Sequence, residues 1–370
     1  MTVTRRDFVN QAALASLVLG SPVTPAVASI GEPPVAQSGE KPDQVLRQMM
    51  VGFQLTQLVY VAVKLNLADQ LASGSKTIAD LATSTGAHED SLYRLMRTLG
   101  GYGIFAEEDG PRFRLTPSAE LLRAGVPGSL HNAIEARGEA WTWRAWGALL
   151  ESVRTGKTGF DLVYGKNTFD WFAENPAAAR LFDEMQADLT ARTAAAVVST
   201  YDFANARVVV DIGGGNGTLL SAILGRHASA RGVLFDLPHV VKAASQAMTA
   251  RFGNRCEMVG GDFFKSVPDT GDVYILKAII HDWEESRARA ILVNCRRAMK
   301  PGAVVLVVEE LVCGPNVRCE AKLADINMLA RTGGRNRTER EYRDLLAAGP
   351  FSVRRVLPVL GDLAIVEATL

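Results

Sequence analysis

Apolar positions follow two different rhythms along this chain. Through residues 42–200 they recur at helical spacing. From residue 201 onward, short unbroken apolar runs alternate with helical stretches. Val208-Val209-Val210 reads as a buried parallel strand that ends at Asp211. Glycines 213, 214, 215 and 217 make the turn that follows, and Thr218–Leu224 resumes at helical spacing. Further strands are expected at Gly232–Asp236, Glu257–Val259, Asp272–Ile280 and, after the Lys300-Pro301-Gly302 turn, Ala303–Glu310. A helix over Thr338–Ala348 precedes a closing hairpin, Val353–Leu360 with Leu363–Ala368 around Gly361-Asp362. Together these predict an open α/β sheet of seven strands with an antiparallel edge.

The first part of the chain predicts a separate helical module over residues 42–135. Val45, Leu46, Met49, Met50, Phe53, Leu55, Leu58, Val59 and Val63 form an apolar face wider than a surface helix needs, so a second subunit is expected to cover it. Ile78–Thr85, Gly86 and Asp90–Leu99 read as helix-turn-helix, and Ile104–Ala106 with Phe113–Leu115 as a hairpin around Glu107-Glu108-Asp109-Gly110. That is a winged helix, a shape also used on DNA. Its wing tip is acidic, and its second helix opens His88-Glu89-Asp90, charges that repel phosphate. Residues 136–200 concentrate aromatics (Trp141, Trp143, Trp146, Phe160, Phe169, Trp171, Phe172, Phe182), read as core with some lining a flat acceptor pocket.

Forty acids against forty Lys and Arg leave no net charge, and so no electrostatic reason to expect nucleic acid or an anionic membrane. Cys256, Cys295, Cys313 and Cys319 lack metal spacing and read as mostly buried free thiols. Residues 1–28 differ from the rest: Arg5-Arg6, an apolar run from Ala12 to Leu19, and Ala26-Val27-Ala28 resemble a twin-arginine export signal. A simple N-terminal extension is the other reading. Residues 29–41 form a linker.

The glycine turn carries the chemistry. A P-loop would need lysine where Gly217-Thr218-Leu219 stands. A dinucleotide turn would need a glycine at Thr218, and Asp211 ahead of the turn suits a cationic ligand better than a pyrophosphate. Asp236 closes the second strand, where a ribose is gripped by its hydroxyls. Asp262 and Phe263 follow the third and could bond and cover an adenine. His281 follows the fourth strand, at the crevice outside the strand ends, where a histidine near its ordinary pKa can take a proton from a phenol. Its competing role is to cap the helix beginning near Glu284. Of the two acids closing the fifth strand, Glu309 is assigned to accept the His281 ring N–H.

With these residues in place, the chain resembles the caffeate-type family of plant and bacterial small-molecule O-methyltransferases. The resemblance covers residues 42–370. It rests on Asp211–Gly217, Phe235-Asp236-Leu237-Pro238-His239-Val240, Gly261-Asp262-Phe263-Phe264, and Leu276-Lys277 through His281-Asp282-Trp283. It implies a Rossmann-like seven-stranded class I methyltransferase sheet with an N-terminal all-helical winged-helix dimerisation domain, working as a homodimer on a small hydroxylated acceptor. It also implies S-adenosylmethionine (SAM) as cofactor, with no metal. The turn from Asp211 through Gly213 and Gly215 would hold the methionine part. Asp236 and Leu237 would meet the ribose, Asp262 and Phe263 the adenine, and Lys277 the cofactor. His281 would be the base, Asp282 would lie beside the acceptor hydroxyl, and Met328 would pack on the acceptor ring.

Two positions depart from the family. Asn336 stands where a second acid flanks the histidine, and Gln186, beside Met185, stands where a pocket methionine is usual. These departures keep C- or N-methylation, or SAM use without methyl transfer, open beside O-methylation. A winged-helix regulator that senses a small ligand is a rival of another kind. The chemistry places the enzyme in the cytoplasm, where SAM is made, whereas the N-terminus leaves export open.

Overall fold

The structure, a computed structural model, describes residues 41–349 and 351–370. The export-like segment and all of the linker but Lys41 lie outside them.

Ten strands are present among the described residues. Three short ones, β1 (Lys76–Thr77), β2 (Phe105–Glu108) and β3 (Arg112–Leu115), form a small antiparallel sheet in the order β1-β3-β2. The wing hairpin thus gains a third strand, and the N-terminal module is helical apart from this sheet. Its helices, Ile78–Thr85 and Glu89–Gly101, close on Leu81, Leu92, Met96, Phe105 and Phe113. The Thr77 hydroxyl and the Asp80 carboxylate cap the first of them reciprocally. The leading helix, Pro42–Lys64, leaves Leu46, Met49, Met50 and Phe53 exposed.

The remaining strands are β4 (Val208–Ile212), β5 (Arg231–Asp236), β6 (Cys256–Gly260), β7 (Val273–Lys277), β8 (Val304–Glu310), β9 (Ser352–Leu360) and β10 (Leu363–Thr369). They form one sheet in the order β6-β5-β4-β7-β8-β10-β9. The pairings from β6 to β8 are parallel, and β10 runs antiparallel to both of its neighbours. The unbroken valine runs follow from burial on both faces. Val209, Leu234, Ile275 and Leu306 pack under the Pro176–Thr200, Thr218–Arg226 and Pro238–Phe252 helices. Val210, Val233, Tyr274 and Val305 pack under Glu285–Ala298 and Glu339–Ala348. Chain order reverses across β4, with β5 on one side and β7 on the other, so the ligand crevice falls at the carboxyl ends of these strands.

The aromatic segment forms a core of its own around Trp141, Phe160, Phe172 and Met185. The Pro176–Thr200 helix joins it to the sheet: Met185 lies in the aromatic core, while Ala194 and Val197 lie on the sheet.

Two expectations are corrected. The fourth strand ends at Lys277 rather than Ile280, because Ala278 takes a left-handed φ of 54° and the chain then tightens into a 3-10 turn, Ile280–Asp282. The four cysteines are not all free. Cys256 and Cys295 are buried thiols, but Cys313 and Cys319 form a disulfide across the loop after β8. That loop folds back on itself, a closure that five intervening residues permit but periodicity does not reveal. Among the described residues, no helix is long and apolar enough to cross a membrane, and no cluster of His, Cys, Asp and Glu could hold a metal.

Candidate active site

The strand tips bring His281, Asp282, Glu309 and Lys277 together. Glu309 lies at the end of β8, with its side chain 1% exposed. Its Oε1 accepts the backbone N–H groups of Ile279, Ile280 and His281 at 3.1, 2.9 and 3.3 Å. This capture explains why β7 stops early and why the residue at 278 is held in a conformation that costs a non-glycine residue energy. The other oxygen, Oε2, lies 3.1 Å from Nδ1 of His281. The pair is at hydrogen-bond distance without full alignment, and neither atom has another partner. The helix-capping role falls to Glu284, which accepts from Ser286 and Arg287, and not to His281.

Charges around the histidine are strongly perturbed. Burial pushes the Glu309 carboxyl up to about 7, against the pull of the three amides and of Lys277. Burial likewise takes Asp282 up to about 6, opposed by His281, whose Nε2 is 3.9 Å from its carboxylate. Burial lowers the pKa of Lys277, while Glu309 and Asp211 support its charge. The Lys277 ammonium donates to Thr190 Oγ1 at 3.1 Å.

Nearby, the glycine turn is tied to β5 by the Gly213 N–H, which donates to Phe235 O at 2.8 Å. Gly213 has a φ of 68°, and a Cβ there would lie 2.4 Å from the Ile279 side chain. The turn and the segment leading to His281 are therefore packed directly together. Asp236 accepts from the Gly215 N–H at 2.9 Å and from the Leu237 N–H at 2.7 Å. Leu237 itself is exposed. Asp211 is 2% exposed and lies beneath the turn rather than at the strand tip, with Ile212 still to follow in β4. Its Oδ2 has no partner, and burial pushes its carboxyl up to about 7, opposed by Lys277. Asp262 accepts from the Phe264 N–H, and the Phe263 ring packs on Phe264 and Trp283 at 4.9 and 6.0 Å.

The facing wall is helical. Met185 and Met328 are buried in it, and Gln186 is half-buried. Phe169 stacks on Trp283 at 5.0 Å and so fastens this wall to the residue following Asp282. No hydrogen bond joins Asn336 to the histidine. Its N–H donates to Asp325 at 2.9 Å, its Nδ2 reaches Glu310 O at 3.5 Å, and its buried Oδ1 has no partner. What meets the Ile280–Asp282 turn from that loop is Gly334, where a Cβ would lie 2.0 Å from His281 O, and Arg337, 1% exposed, which donates to Ile280 O and to Glu285.

Three contributors were missed in the sequence: Thr190, Arg337 and Asp183. Asp183 lies on the Pro176–Thr200 helix, accessible yet crowded by protein atoms, as a group in a cleft is. That crowding, then Asp236, takes its carboxyl up to about 6. Arg337 stands next to Asn336 in the Gly333–Thr338 run, whereas Thr190 and Asp183 belong to no local motif. The residues at the turn fit a cationic nucleoside: glycine backbone leaves room for close approach, and the acids Asp183, Asp211 and Asp236 gather there against Lys277.

The fold and these strand tips define a class I methyltransferase. Residues 146–352 match the O-methyltransferase domain, and residues 47–125 match the O-methyltransferase dimerisation domain. The chain belongs to this O-methyltransferase family. It is 44% identical to a phenazine O-methyltransferase of Lysobacter antibioticus over 325 residues, 88% of this chain and 95% of that one. It is 34% identical to a phenazine-1-carboxylate N-methyltransferase of Pseudomonas aeruginosa over 318 residues, 84% of this chain and 92% of that one. Among solved structures, it is 31% identical to an O-methyltransferase from neocarzinostatin biosynthesis bound to SAM and 2-hydroxy-5-methyl naphthoic acid. The TM-score is 0.75, with 85% of this chain and 95% of that one covered. The protein is thus a SAM-dependent methyltransferase of small-molecule biosynthesis.

Proposed function

We propose that the protein O-methylates a hydroxyl on a small aromatic or polyketide-like acceptor, with His281 as the base. The observation that carries this reading is the His281–Glu309 pair at 3.1 Å, outside the strand ends. Glu309, pinned through Oε1 by three amides, holds the ring so that Nδ1 keeps its proton and Nε2 faces the acceptor. Nε2 takes the hydroxyl proton, and Glu309 stabilises the imidazolium that results. Asp282, next to Nε2, helps to position the hydroxyl. Met185, Gln186 and Met328 form the wall against which the acceptor lies.

SAM supplies an electrophilic methyl group when bound. The turn at Asp211, Gly213 and Gly215 would hold its methionine part, Asp236 and Leu237 its ribose, and Asp262 and Phe263 its adenine, with Lys277 alongside. Positioning supplies most of the acceleration, and the base adds roughly 10²–10⁴-fold. The exposed Leu46, Met49, Met50 and Phe53 would be covered by a second copy, giving a homodimer. We place the reaction in the cytoplasm, with the SAM supply.

A second reading is N-methylation, favoured by the uncharged Asn336 and by the N-methyltransferase relative. The discriminating experiment offers labelled SAM with matched phenols and anilines to the wild type and His281→Ala. O-methylation lost in the variant supports the base. Transfer to nitrogen alone, undiminished in the variant, overturns it.

A further inference from the structure

The helical wall contains a buried cation that the reaction described above does not use. Arg331 ends the Glu320–Arg331 helix, one turn beyond Met328, and is 6% exposed. Its guanidinium carbon lies 4.7 Å from the Trp141 ring and 5.4 Å from the Phe182 ring. Nε and Nη2 are both buried and bonded to nothing. Among the described residues, no carboxylate comes within 4.0 Å of it. Asp282 is the acid whose charge it feels, and Arg137 of the His131–Gly138 helix, accessible yet crowded by protein atoms, adds a second positive charge.

An arginine so enclosed stays charged near neutrality, although burial lowers its pKa to about 10. Leaving a cation buried without a hydrogen-bonded partner is strongly unfavourable. Two aromatic faces offset part of that cost but give Nε and Nη2 no acceptor. Nε and Nη2 form one edge of the guanidinium, the pair of parallel donors that matches a carboxylate. Asp282 is linked to both groups: its carboxylate lies 3.9 Å from His281 Nε2, and its charge and that of Arg331 act on each other. A flat molecule resting on this wall would therefore present one group to the base and another to the arginine.

We infer that Arg331 is an anion-binding residue of the acceptor site, and that the acceptors are aromatic carboxylates gripped at Nε and Nη2 while a ring hydroxyl faces His281. The inference rests on the acceptor lying between His281 and the helical wall. It narrows the substrate class from hydroxylated aromatics to hydroxylated aromatic acids.

The test measures binding to the full-length protein saturated with S-adenosylhomocysteine, by calorimetry. The probes are benzoate, 1-naphthoate and phenazine-1-carboxylate, each beside its carboxamide. At least one acid is expected to bind about tenfold more tightly than its amide. Arg331→Met should abolish that preference and leave amide binding within about twofold, and Arg331→Lys should retain part of it. Acids and amides bound alike by the wild type, or no binding of any acid, would overturn the inference. So would an Arg331→Met variant that weakens acid and amide equally, which would mean that Arg331 only supports Asp282. If Arg331→Met fails to fold, the wild-type comparison and Arg331→Lys still decide. Failure of the underlying O-methylation reading looks different: hydroxylated acids bind with the preference intact, and no methyl reaches their oxygen.

Discussion

At the strand tips, Glu309 is an acid whose needs are met by the chain itself. Three amides hold one oxygen, and His281 lies 3.1 Å from the other. Across Asp282, on the helical wall, Arg331 is comparably buried, and two of its donors have no partner. One charge is fixed before any ligand arrives, as an orienting group must be if it is not to reorganise during the reaction. The other is held in readiness by shape and aromatic faces. On the proposed mechanism, the sheet side of the cleft would carry chemistry that is indifferent to the acceptor, and the helical side selection.

The widest break in that contrast is His281→Ala. Turnover should fall roughly 10²–10⁴-fold, whereas SAM affinity measured by calorimetry stays within about twofold. Unchanged turnover would leave the strand tips with positioning alone. Glu309→Gln should follow at roughly 10²-fold, because the amide that replaces Oε2 donates toward an Nδ1 that already carries a proton. In the wild type, turnover should fall as the pH drops through about 7, where Glu309 takes up its proton. A profile flat from pH 6 to 8 would mean that Glu309 acts only as a scaffold for the turn.

The same division governed what could be read from the sequence. The sheet side was legible because each contribution sits in a short window: a valine strand before glycines, Phe235-Asp236-Leu237-Pro238-His239, and His281-Asp282-Trp283. Parallel strands place such windows side by side without help from distant residues. Glu309 was found because it ends a strand whose neighbour was already identified. The helical side offered no such windows. Arg331 reads as an ordinary helix-end cation, since arginine is rarely buried. Thr190 and Asp183 reach the cleft only because a 25-residue helix passes from the aromatic core onto the sheet. Asn336 is expected beside the histidine from its place in a motif; its hydrogen bonds go to Asp325 and Glu310, and Gly334 of the same loop meets the His281 backbone.

Gly334 sharpens the contrast structurally, because it is where the two sides touch backbone to backbone. A methyl there would meet His281 O at 2.0 Å and the Trp283 nitrogen at 2.5 Å, atoms that cannot rotate away. Gly334→Ala should cost about 1–3 kcal/mol of stability by denaturant unfolding and displace the turn that Glu309 holds. Turnover on all acceptors should then fall together. A selective loss for one acceptor class would assign the loop to recognition instead.

The finest distinction concerns Asp211, a buried acid on the sheet side whose Oδ2 has no partner, whereas Glu309 Oε2 lies 3.1 Å from His281 Nδ1. Its folded pKa is raised from 3.8 to about 7, chiefly by burial. Between those values the folded state holds the proton more tightly than the unfolded one, so its contribution to stability falls as pH rises through this window and is lowest above about 7. Asn at this position has no proton to lose. Asp211→Asn should therefore gain on the wild type, by on the order of 1 kcal/mol, when denaturant unfolding is compared at pH 8 and at pH 5. The comparison is made without cofactor, so that only the fold is measured. Parallel stability curves for the two proteins across that range would mean that Asp211 keeps its charge beneath the turn, with Lys277 compensating it fully.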